Sequence, residues 1–205
     1  MESLTNTWQI WSLPDGPAGR KVELDMGCGK GRFTTTLAHR YPERLVLCND
    51  VMSDRLRIVE KRGVREGLAN LRVLRAASLA LVSYQLPPQS IDRLHLLCPD
   101  PWPKKSHLAR RLVCTDFLCR VPRILKAGGV FHLSTDYVPY FEDWLRMFAQ
   151  LPHLYEPFPE GIADVADINT DFELHWNAQG TPVQHIAYRV KARGERREAR
   201  GKICV

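Results

Sequence analysis

The stretch KVELDMGCGKGRF, Lys21 to Phe33, decides the fold. A short apolar strand ends at Asp25 and runs into a turn, and a helical pattern follows the turn. The turn carries three glycines at alternate positions: Gly27, Gly29 and Gly31. Glycine permits a tight turn and lets the backbone approach a ligand closely, and the helix N-terminus behind the turn favours negative charge. The stretch therefore predicts a strand–turn–helix unit of an α/β sheet with a ligand at its turn.

The rest of the chain repeats this alternation. Apolar runs such as RLVLCND, NLRVLRA, SIDRLHLLC and GVFHLSTD are separated by helical patterns, one of which, TDFLCRVPRILKAGG, is expected to end at Gly128-Gly129. Alternating strands and helices predict a mostly parallel, Rossmann-like sheet of seven strands with helices on both faces. Beyond Leu151, two strand-like runs flank Asn177–Gly180 and predict a C-terminal antiparallel hairpin.

Length and composition limit the class of protein. The 205 residues fit one domain, 1–205, with a short N-terminal segment, 1–20, and a basic tail, 190–205. No apolar run is long enough to span a membrane, and the N-terminus lacks the pattern of a secretory signal, so we expect a cytoplasmic protein. The six cysteines are scattered without CxxC spacing, so no metal is expected. A net charge of +6 favours polyanionic partners.

The glycine turn indicates the kind of cofactor. A dinucleotide fingerprint requires glycine where Arg32 stands, and no GKS or GKT follows for a P-loop. Glycines preceded by Asp25 suit a cofactor without a phosphate, and S-adenosylmethionine is such a cofactor. Asp50, at the end of the second strand, is placed to accept hydrogen bonds from ribose hydroxyls. The alternatives are a plain turn for the glycines and a helix N-cap for Asp50.

The stretch CPDPWPKKSHLARR, Cys98 to Arg111, follows the fourth strand. Ligands of open parallel sheets bind beyond the carboxyl ends of the strands, so Asp100 should reach the crevice beside the glycine turn. The flanking prolines restrict the backbone, Trp102 can brace the acid or stack on a base, and the basic residues suit phosphates. The alternative is a rigid surface turn with a solubilising run of charges.

Four segments in this order and spacing, DMGCGKG, PDPWPKKSHLARRL, LKAGGVFHLSTDY and TDFE, resemble bacterial tRNA (guanine-N7-)-methyltransferases, from about Val22 to Arg189. The resemblance implies a class I methyltransferase fold and transfer of a methyl group from S-adenosylmethionine to a guanine of the tRNA variable loop. It implies cofactor contacts at Asp25, Gly27, Gly29, Gly31, Asp50 and Asp100, with Asp100 also catalytic. It implies substrate contacts at Lys104, Asp136, Thr170, Asp171, Phe172 and Glu173, with Arg110 and Arg111 on tRNA phosphates.

Two features depart from the family pattern. Ala77 stands where the family has an acid near the adenine, so Ser78 or a backbone group substitutes, or cofactor affinity is reduced. Only about twenty residues precede the first strand, fewer than is common in the family. These departures keep open a tRNA-binding relative that has lost methyl transfer. A methyltransferase for another substrate is a further alternative, and the oligomeric state, monomer or homodimer, stays undetermined.

Overall fold

The computed structural model describes residues 2–3 and 19–192. Most of the N-terminal segment 1–20, the tail beyond Ala192 and Cys204 therefore lie outside the described residues. Among the described residues no helix is both long enough and apolar enough to cross a bilayer.

The described strands form one sheet whose order confirms the predicted fold class. The strands are β1 (Glu2–Ser3), β2 (Val22–Met26), β3 (Leu45–Asp50), β4 (Leu71–Arg75), β5 (Ile91–Leu97), β6 (Leu125–Thr135), β7 (Tyr155–Pro157) and β8 (Gln184–Val190). Their order is β1-β4-β3-β2-β5-β6-β8-β7, in which only the β6–β8 and β8–β7 pairs are antiparallel. The sheet is thus mostly parallel, and its two-residue β1 adds an edge strand to the seven predicted.

Helices and helical turns connect the strands. The α-helices are α1 (Arg32–Arg40), α2 (Ser53–Arg65), α3 (Ser78–Ala80), α4 (Thr115–Arg120), α5 (Val138–Ala149) and α6 (Asp171–Ala178). A π-helical turn, Leu81–Gln85, extends α3, and 3-10 turns span Lys105–Arg110, Val121–Arg123 and Pro159–Val165. Two apolar clusters pack on the sheet. One includes Phe33, Leu37 and Val59 of α1 and α2, and the other includes Phe117 and Trp144 of α4 and α5.

The topology places a crevice at the carboxyl ends of β2 and β5. From β2 the chain builds β3 and β4 on one side, and it then crosses to β5 on the other side of β2. Such a reversal of strand order leaves an open crevice beyond the strand ends. The glycine turn after β2 and the proline-flanked loop after β5 both open into this region.

Two predicted elements are wrong. The antiparallel partner of β8 at the sheet edge is β7, and the segment predicted as the first hairpin strand forms α6 instead. The helix predicted to reach Gly128-Gly129 ends near Arg123, and β6 begins at Leu125. Gly128, at φ +75°, lies where the β5–β6 register shifts, so these glycines serve an irregularity of the sheet rather than a helix end.

Candidate functional site

A cleft of about 460 Å³ lies at the carboxyl ends of β2 and β5. Seven of the predicted site residues line it: Asp25, Gly27, Gly29, Asp100, Thr170, Asp171 and Phe172. The other lining residues are Cys28, Lys30, Arg32, Phe33, Arg55, Leu97, Cys98 and His175. Three separate segments, namely the glycine turn, the loop after β5 and the start of α6, therefore meet at one cleft.

The glycine turn is held against the end of β3. The amides of Gly27 and Cys28 donate to the Asn49 carbonyl at 2.9 and 3.0 Å. Gly27 and Gly29 have φ values of +73° and +56°, which L side chains rarely adopt. A Cβ at either position would meet no atom within 4 Å, so the backbone is open toward the cleft there. Gly31 differs, because a Cβ there would lie 2.5 Å from Val59 of α2.

Asp50 joins the end of β3 to the glycine turn. Its carboxylate accepts hydrogen bonds from the Gly29 amide at 3.2 Å and from the Met52 amide at 2.9 Å, and Arg55 lies 3.7 Å away. The N-cap of α2 is Met52, which has no side-chain cap, so Asp50 bonds the residue before the helix but is not its N-cap. A carboxylate has about four acceptor positions, so Asp50 retains capacity for a ligand.

Asp25 is a buried acid at the end of β2. Its side chain is 3% exposed and accepts a short hydrogen bond from the Thr34 hydroxyl. Burial raises the pKa of Asp25 to about 7, and the charges of Glu173 and Asp50 act in the same direction against the bond from Thr34. This carboxyl group therefore ionises near neutrality, where a nearby cation would draw it into the charged form.

Asp100 is presented on a constrained loop. Cys98 and Trp102 on either side have φ values of +49° and +40°, a region that non-glycine residues occupy at an energetic cost. The Cys98 amide bonds the Ser134 carbonyl at 2.9 Å, and Arg111 donates to the Pro101 carbonyl at 2.7 Å. Asp100 itself is exposed, and no described residue makes a hydrogen bond or ion pair with its carboxylate. The loop thus holds an uncompensated carboxylate at the cleft.

The basic segment after Asp100 divides into outward and inward side chains. Lys104, Lys105 and Arg110 are exposed, and the Arg110 guanidinium lies 5.1 Å from the Trp102 ring. Phosphate contact by Arg111 stays a prediction; in the structure its side chain is only 10% exposed and pairs with Asp143 at 2.6 Å. Arg111 clamps the Asp100 loop to α5, and Arg110 is the free member of the pair.

The segment TDFE begins α6. Thr170 and Glu173 form a reciprocal capping box, in which the Glu173 amide donates to Thr170 Oγ1 at 3.0 Å and the Thr170 amide donates to Glu173 Oε2 at 2.5 Å. Burial alone would raise the pKa of Glu173, but hydrogen bonds from His185 and Thr170 leave it lowered. Phe172 is 42% exposed and lines the cleft together with His175. Glu173 therefore anchors the helix, while Phe172 faces the ligand space.

Asp136 lies apart from the cleft lining. It follows β6 and is half-buried. Burial raises the pKa of the Cys98 thiol to about 12, and the charges of Glu173 and Asp136 act in the same direction. Asp136 therefore lies close to Cys98. Any substrate contact of Asp136 would therefore be made at the rim of the cleft behind Cys98.

Sequence reasoning missed four charged or polar lining residues: Lys30, Arg32, Arg55 and His175. Arg32 and Arg55 are about half-exposed and stand in the first turns of α1 and α2. Their positions immediately after the glycine turn and after Asp50 were the available signal, since the starts of helices that follow parallel strands face the ligand crevice.

Exposed apolar side chains follow β3 and β4 near Ala77, although neither they nor Ala77 are among the residues that line the cleft. Ala77 is exposed, and Val51, Met52 and Leu79, which follow β3 and β4, are 61%, 48% and 44% exposed. Asn49 links these strand ends by donating to the Ala76 carbonyl at 3.1 Å, and its buried Oδ1 has no partner among the described residues. A flat aromatic group would find apolar contacts here without a carboxylate.

The strand order, the glycine turn and the acid at the end of β3 define the class I, Rossmann-like methyltransferase fold. The sequence model of the family described as "Putative methyltransferase" matches residues 19–186, and the chain belongs to that family. Among solved structures, the 16S rRNA methyltransferase KamB has a TM-score of 0.59 at 20% identity, covering 84% of this chain and 88% of that one. The [4+2]-cyclase SpnF has a TM-score of 0.57 at 14% identity, covering 85% and 76%. These likenesses show the fold alone.

Relatives of this chain bear a more specific name. The protein called tRNA (guanine-N(7)-)-methyltransferase in Paracidovorax citrulli is 35% identical to this chain over 168 residues, which cover 81% of this chain and 67% of the relative. The corresponding protein of Lactobacillus delbrueckii subsp. bulgaricus is 30% identical over 175 residues, covering 80% and 78%. The protein of Thermus thermophilus is 36% identical over 169 residues, covering 80% and 52%. The chain thus spans only about half the length of some relatives that it matches.

Proposed function

We propose that this chain transfers a methyl group from S-adenosylmethionine to N7 of a guanine in tRNA. The observation that carries the proposal is the convergence of the glycine turn and an unpaired, conformationally held Asp100 on one cleft. The relatives that bear the name tRNA (guanine-N(7)-)-methyltransferase support the choice of reaction. A tRNA substrate would place the enzyme in the cytoplasm.

The residues of the cleft fit the cofactor. The Gly27 and Gly29 backbone leaves space for its amino-acid end, and Asp50 has acceptor capacity for ribose hydroxyls. The exposed apolar side chains Val51, Met52 and Leu79 suit the adenine, which compensates for Ala77. The cofactor supplies an activated methyl group on a positively charged sulfur. A positive group near Asp25 would favour ionisation of that carboxyl, since its pKa lies near 7.

The reaction requires little proton transfer by the protein. Guanine N7 carries an in-plane lone pair, so the base attacks the methyl carbon without prior deprotonation, and rate acceleration comes mainly from alignment. The methylated base becomes cationic, and a fixed carboxylate near it stabilises that charge. Asp100 suits this role because it is unpaired and lines the cleft. Glu173 suits it less, because both of its oxygens are occupied beneath α6.

The exposed aromatic ring of Phe172 suggests how the base is held. A guanine within folded tRNA has to leave its stack before an enzyme can reach it, and aromatic side chains stabilise unstacked bases. Phe172 lines the cleft at the start of α6 and packs its edge against Trp176, with ring centroids 5.7 Å apart. We assign Phe172 to stacking on the target base, with Asp171 and Thr170 beside it.

The exposed cations beside the cleft are assigned to the tRNA backbone. Lys104, Lys105 and Arg110 follow Asp100 directly, and Arg32 on α1 lines the cleft beside Asp171, 3.9 Å away. Phosphate contacts of this kind fix orientation and make binding depend on salt. Asp136 is kept as a candidate for contact with the substrate at the rim.

The proposal is tested by incubating the purified chain with unmodified tRNA and methyl-labelled cofactor, followed by nucleoside mapping. We expect labelled 7-methylguanosine at one position of the variable loop, and no label when Asp100→Ala replaces the wild type. Calorimetric titration with cofactor alone separates the alternatives. Cofactor binding with label in another product indicates a different substrate, whereas no cofactor binding at all indicates a tRNA-binding relative and refutes the proposal.

A further inference from the structure

Beneath the cleft, four buried side chains and the more exposed His185 form a continuous hydrogen-bonded relay that crosses four adjacent strands and ends at the start of α6. Glu23 on β2 contacts His95 on β5, with Oε2 and Nε2 2.9 Å apart. His95 and His132 on β6 meet through their Nδ1 atoms at 2.9 Å. His132 Nε2 lies 3.0 Å from His185 Nδ1 on β8, and His185 Nε2 lies 3.0 Å from Glu173 Oε1 at the start of α6.

The first bonds of the relay fix the position of each proton. Glu23 also accepts from Arg93 at 2.9 and 3.0 Å, and although burial would raise its pKa, His95 and Arg93 hold that pKa far below its usual range. His95 must therefore donate through Nε2, and because its ring is 0% exposed and burial lowers its pKa, the neutral form with Nδ1 as an acceptor follows. It follows that His132 donates through Nδ1 and accepts at Nε2, and that His185 donates through Nδ1.

The bond between His185 and Glu173 also needs a proton. The four hydrogen bonds of the relay therefore need four protons, whereas three neutral imidazoles carry only three. A neutral His185 that donates through Nδ1 would aim a lone pair at the Glu173 carboxylate 3.0 Å away. Burial lowers the pKa of His95 and lowers that of His132 well below its usual value. Glu173 already accepts the Thr170 amide at the N-terminus of α6, which favours its charged form. Of the three rings His185 is the most exposed, at 34%, so it is the one at which water can best solvate the extra proton.

We propose that His185 is a positioning residue whose imidazolium form, set by the His95–His132 relay, locks Glu173 and so holds the start of α6 at the cleft. This inference rests on the proposed function, in which Phe172 on α6 stacks on the target base. Loss of the single extra proton breaks the bond from His185 to Glu173, which leaves the Thr170 amide at 2.5 Å and the Ser134 hydroxyl at 3.5 Å as the described contacts of this carboxylate. The wall of the substrate site is then held less firmly, although the cofactor side, built from β2 and β3, is unaffected.

The charged groups around His185 are consistent with one added positive charge. Glu173 faces it from α6 and His132 faces it from β6, while on the far side of His132 the Arg93 charge is balanced by Glu23 and Asp164. Asp136 and the Cys98 thiol lie nearby at the ends of β6 and β5. The segment Pro159–Val165 packs on β8 and carries two acids. Asp164 is paired with Arg93 and Arg44, and Glu160 is exposed. Among the described residues no group of three or more side chains is arranged to hold a metal ion.

Histidine-selective long-range ¹H–¹⁵N spectra of the full chain at neutral pH test the proton positions directly. We expect His95 with its proton on Nε2, His132 with its proton on Nδ1, and His185 with both nitrogens protonated. A neutral His185, or the opposite tautomer at His95 or His132, overturns the proposal. Because this measurement needs neither substrate nor turnover, its failure is distinguishable from failure of the proposed methyl transfer.

Kinetics separate positioning from simple structural support. We expect His185→Phe to raise the KM for tRNA about tenfold, as for loss of a hydrogen bond between charged groups, with cofactor affinity changed less than about twofold. His185→Gln keeps a neutral N–H donor, so it should restore most of the KM, and it should lack the alkaline rise in KM that we expect in the wild type on loss of the extra proton. His39→Gln, on the exposed face of α1, is the matched control and should keep the wild-type pH profile. An alkaline rise that persists in His185→Gln contradicts the proposal.

Discussion

Replacement of the buried Asp25 by asparagine should stabilise the fold and, under the proposed function, weaken cofactor binding. Asp25 is 3% exposed, and its pKa is raised from 3.8 to about 7 mainly by burial. In the unfolded chain the carboxyl ionises freely, so between these two pH values the folded state binds more protons than the unfolded state. The contribution of Asp25 to the free energy of unfolding must therefore fall as pH rises from about 4 to about 7. Asparagine has the same shape, cannot ionise, and can still accept the hydrogen bond from Thr34.

The size of the effect follows from the pKa difference. At about 1.4 kcal/mol for each pKa unit, a rise from 3.8 to about 7 corresponds to roughly 4 kcal/mol. Of that amount, roughly 3 kcal/mol of the free energy of unfolding is lost by the wild type between pH 5 and pH 8, because the folded-state pKa of Asp25 lies within this interval. Asp25→Asn should therefore exceed the wild type in stability at pH 8, and the advantage should shrink toward pH 5.

The assay is urea unfolding of both proteins at several pH values from 5 to 8, without cofactor. All other titrating groups are shared, so their contributions cancel in the difference between the two proteins. A difference that stays constant across this range would show that Asp25 ionises normally in the folded state and would refute the argument. Cofactor titrations of the same two proteins should show weaker binding by Asp25→Asn, together with proton release on binding to the wild type at about pH 6.

Four further outcomes test the site. Asp100→Asn should lower kcat by about 10²–10³-fold in a single-turnover methylation assay, while cofactor and tRNA affinities from calorimetry change less than about threefold. Phe172→Ala should lower kcat/KM for tRNA by about 5–150-fold, as expected for loss of stacking worth about 1–3 kcal/mol, whereas Phe172→Tyr should retain most of it. Lys104→Ala should reduce the slope of log binding constant against log salt by about 1. Arg111→Ala should leave that slope unchanged and lower the melting temperature instead, because its guanidinium is committed to Pro101 and Asp143.

The parts of the fold that the sequence predicts well are those with a local physical signature. The turn at Gly27 and Gly29 requires positive φ values, and the pattern of strand, glycine turn and helix follows from neighbouring residues alone. Parallel order then brings Asp50 and Asp100 to the same edge of the sheet. For this reason the cleft and several of its lining residues were predictable before any coordinates.

The wrong hairpin shows how one local signal can override another. Phe172, Leu174 and Trp176 alternate with polar residues, which is the period of a half-buried strand. The same segment carries the T-x-x-E signature of a capping box, and Thr170 and Glu173 form that box. In α6 the side chains of Phe172 and Leu174 are about two-fifths exposed, and of these two only Phe172 lines the cleft, so the alternation does not mark a buried sheet face.

The roles of Arg110 and Arg111 could not be separated from the sequence. Adjacent arginines have the same composition and charge, and only the path of the Asp100 loop determines which one turns inward. That path depends on left-handed backbone conformations at Cys98 and Trp102, which no local preference of cysteine or tryptophan predicts. Contacts across distant segments, such as Arg111 with Asp143 of α5, then complete the assignment.

The two faces of the central strands bury different kinds of side chain, one apolar and one polar. On one face Leu24, Leu94 and Phe131 are fully buried in the larger apolar cluster. On the other face Glu23, Asp25, Arg93, His95 and His132 are buried in the same strands. Buried polar groups are costly unless each is hydrogen-bonded, and the relay satisfies this condition only with a defined number of protons. Buried parallel strands are usually almost continuously apolar, so a polar face of this kind beneath the cleft is better explained by the chemistry above it than by stability.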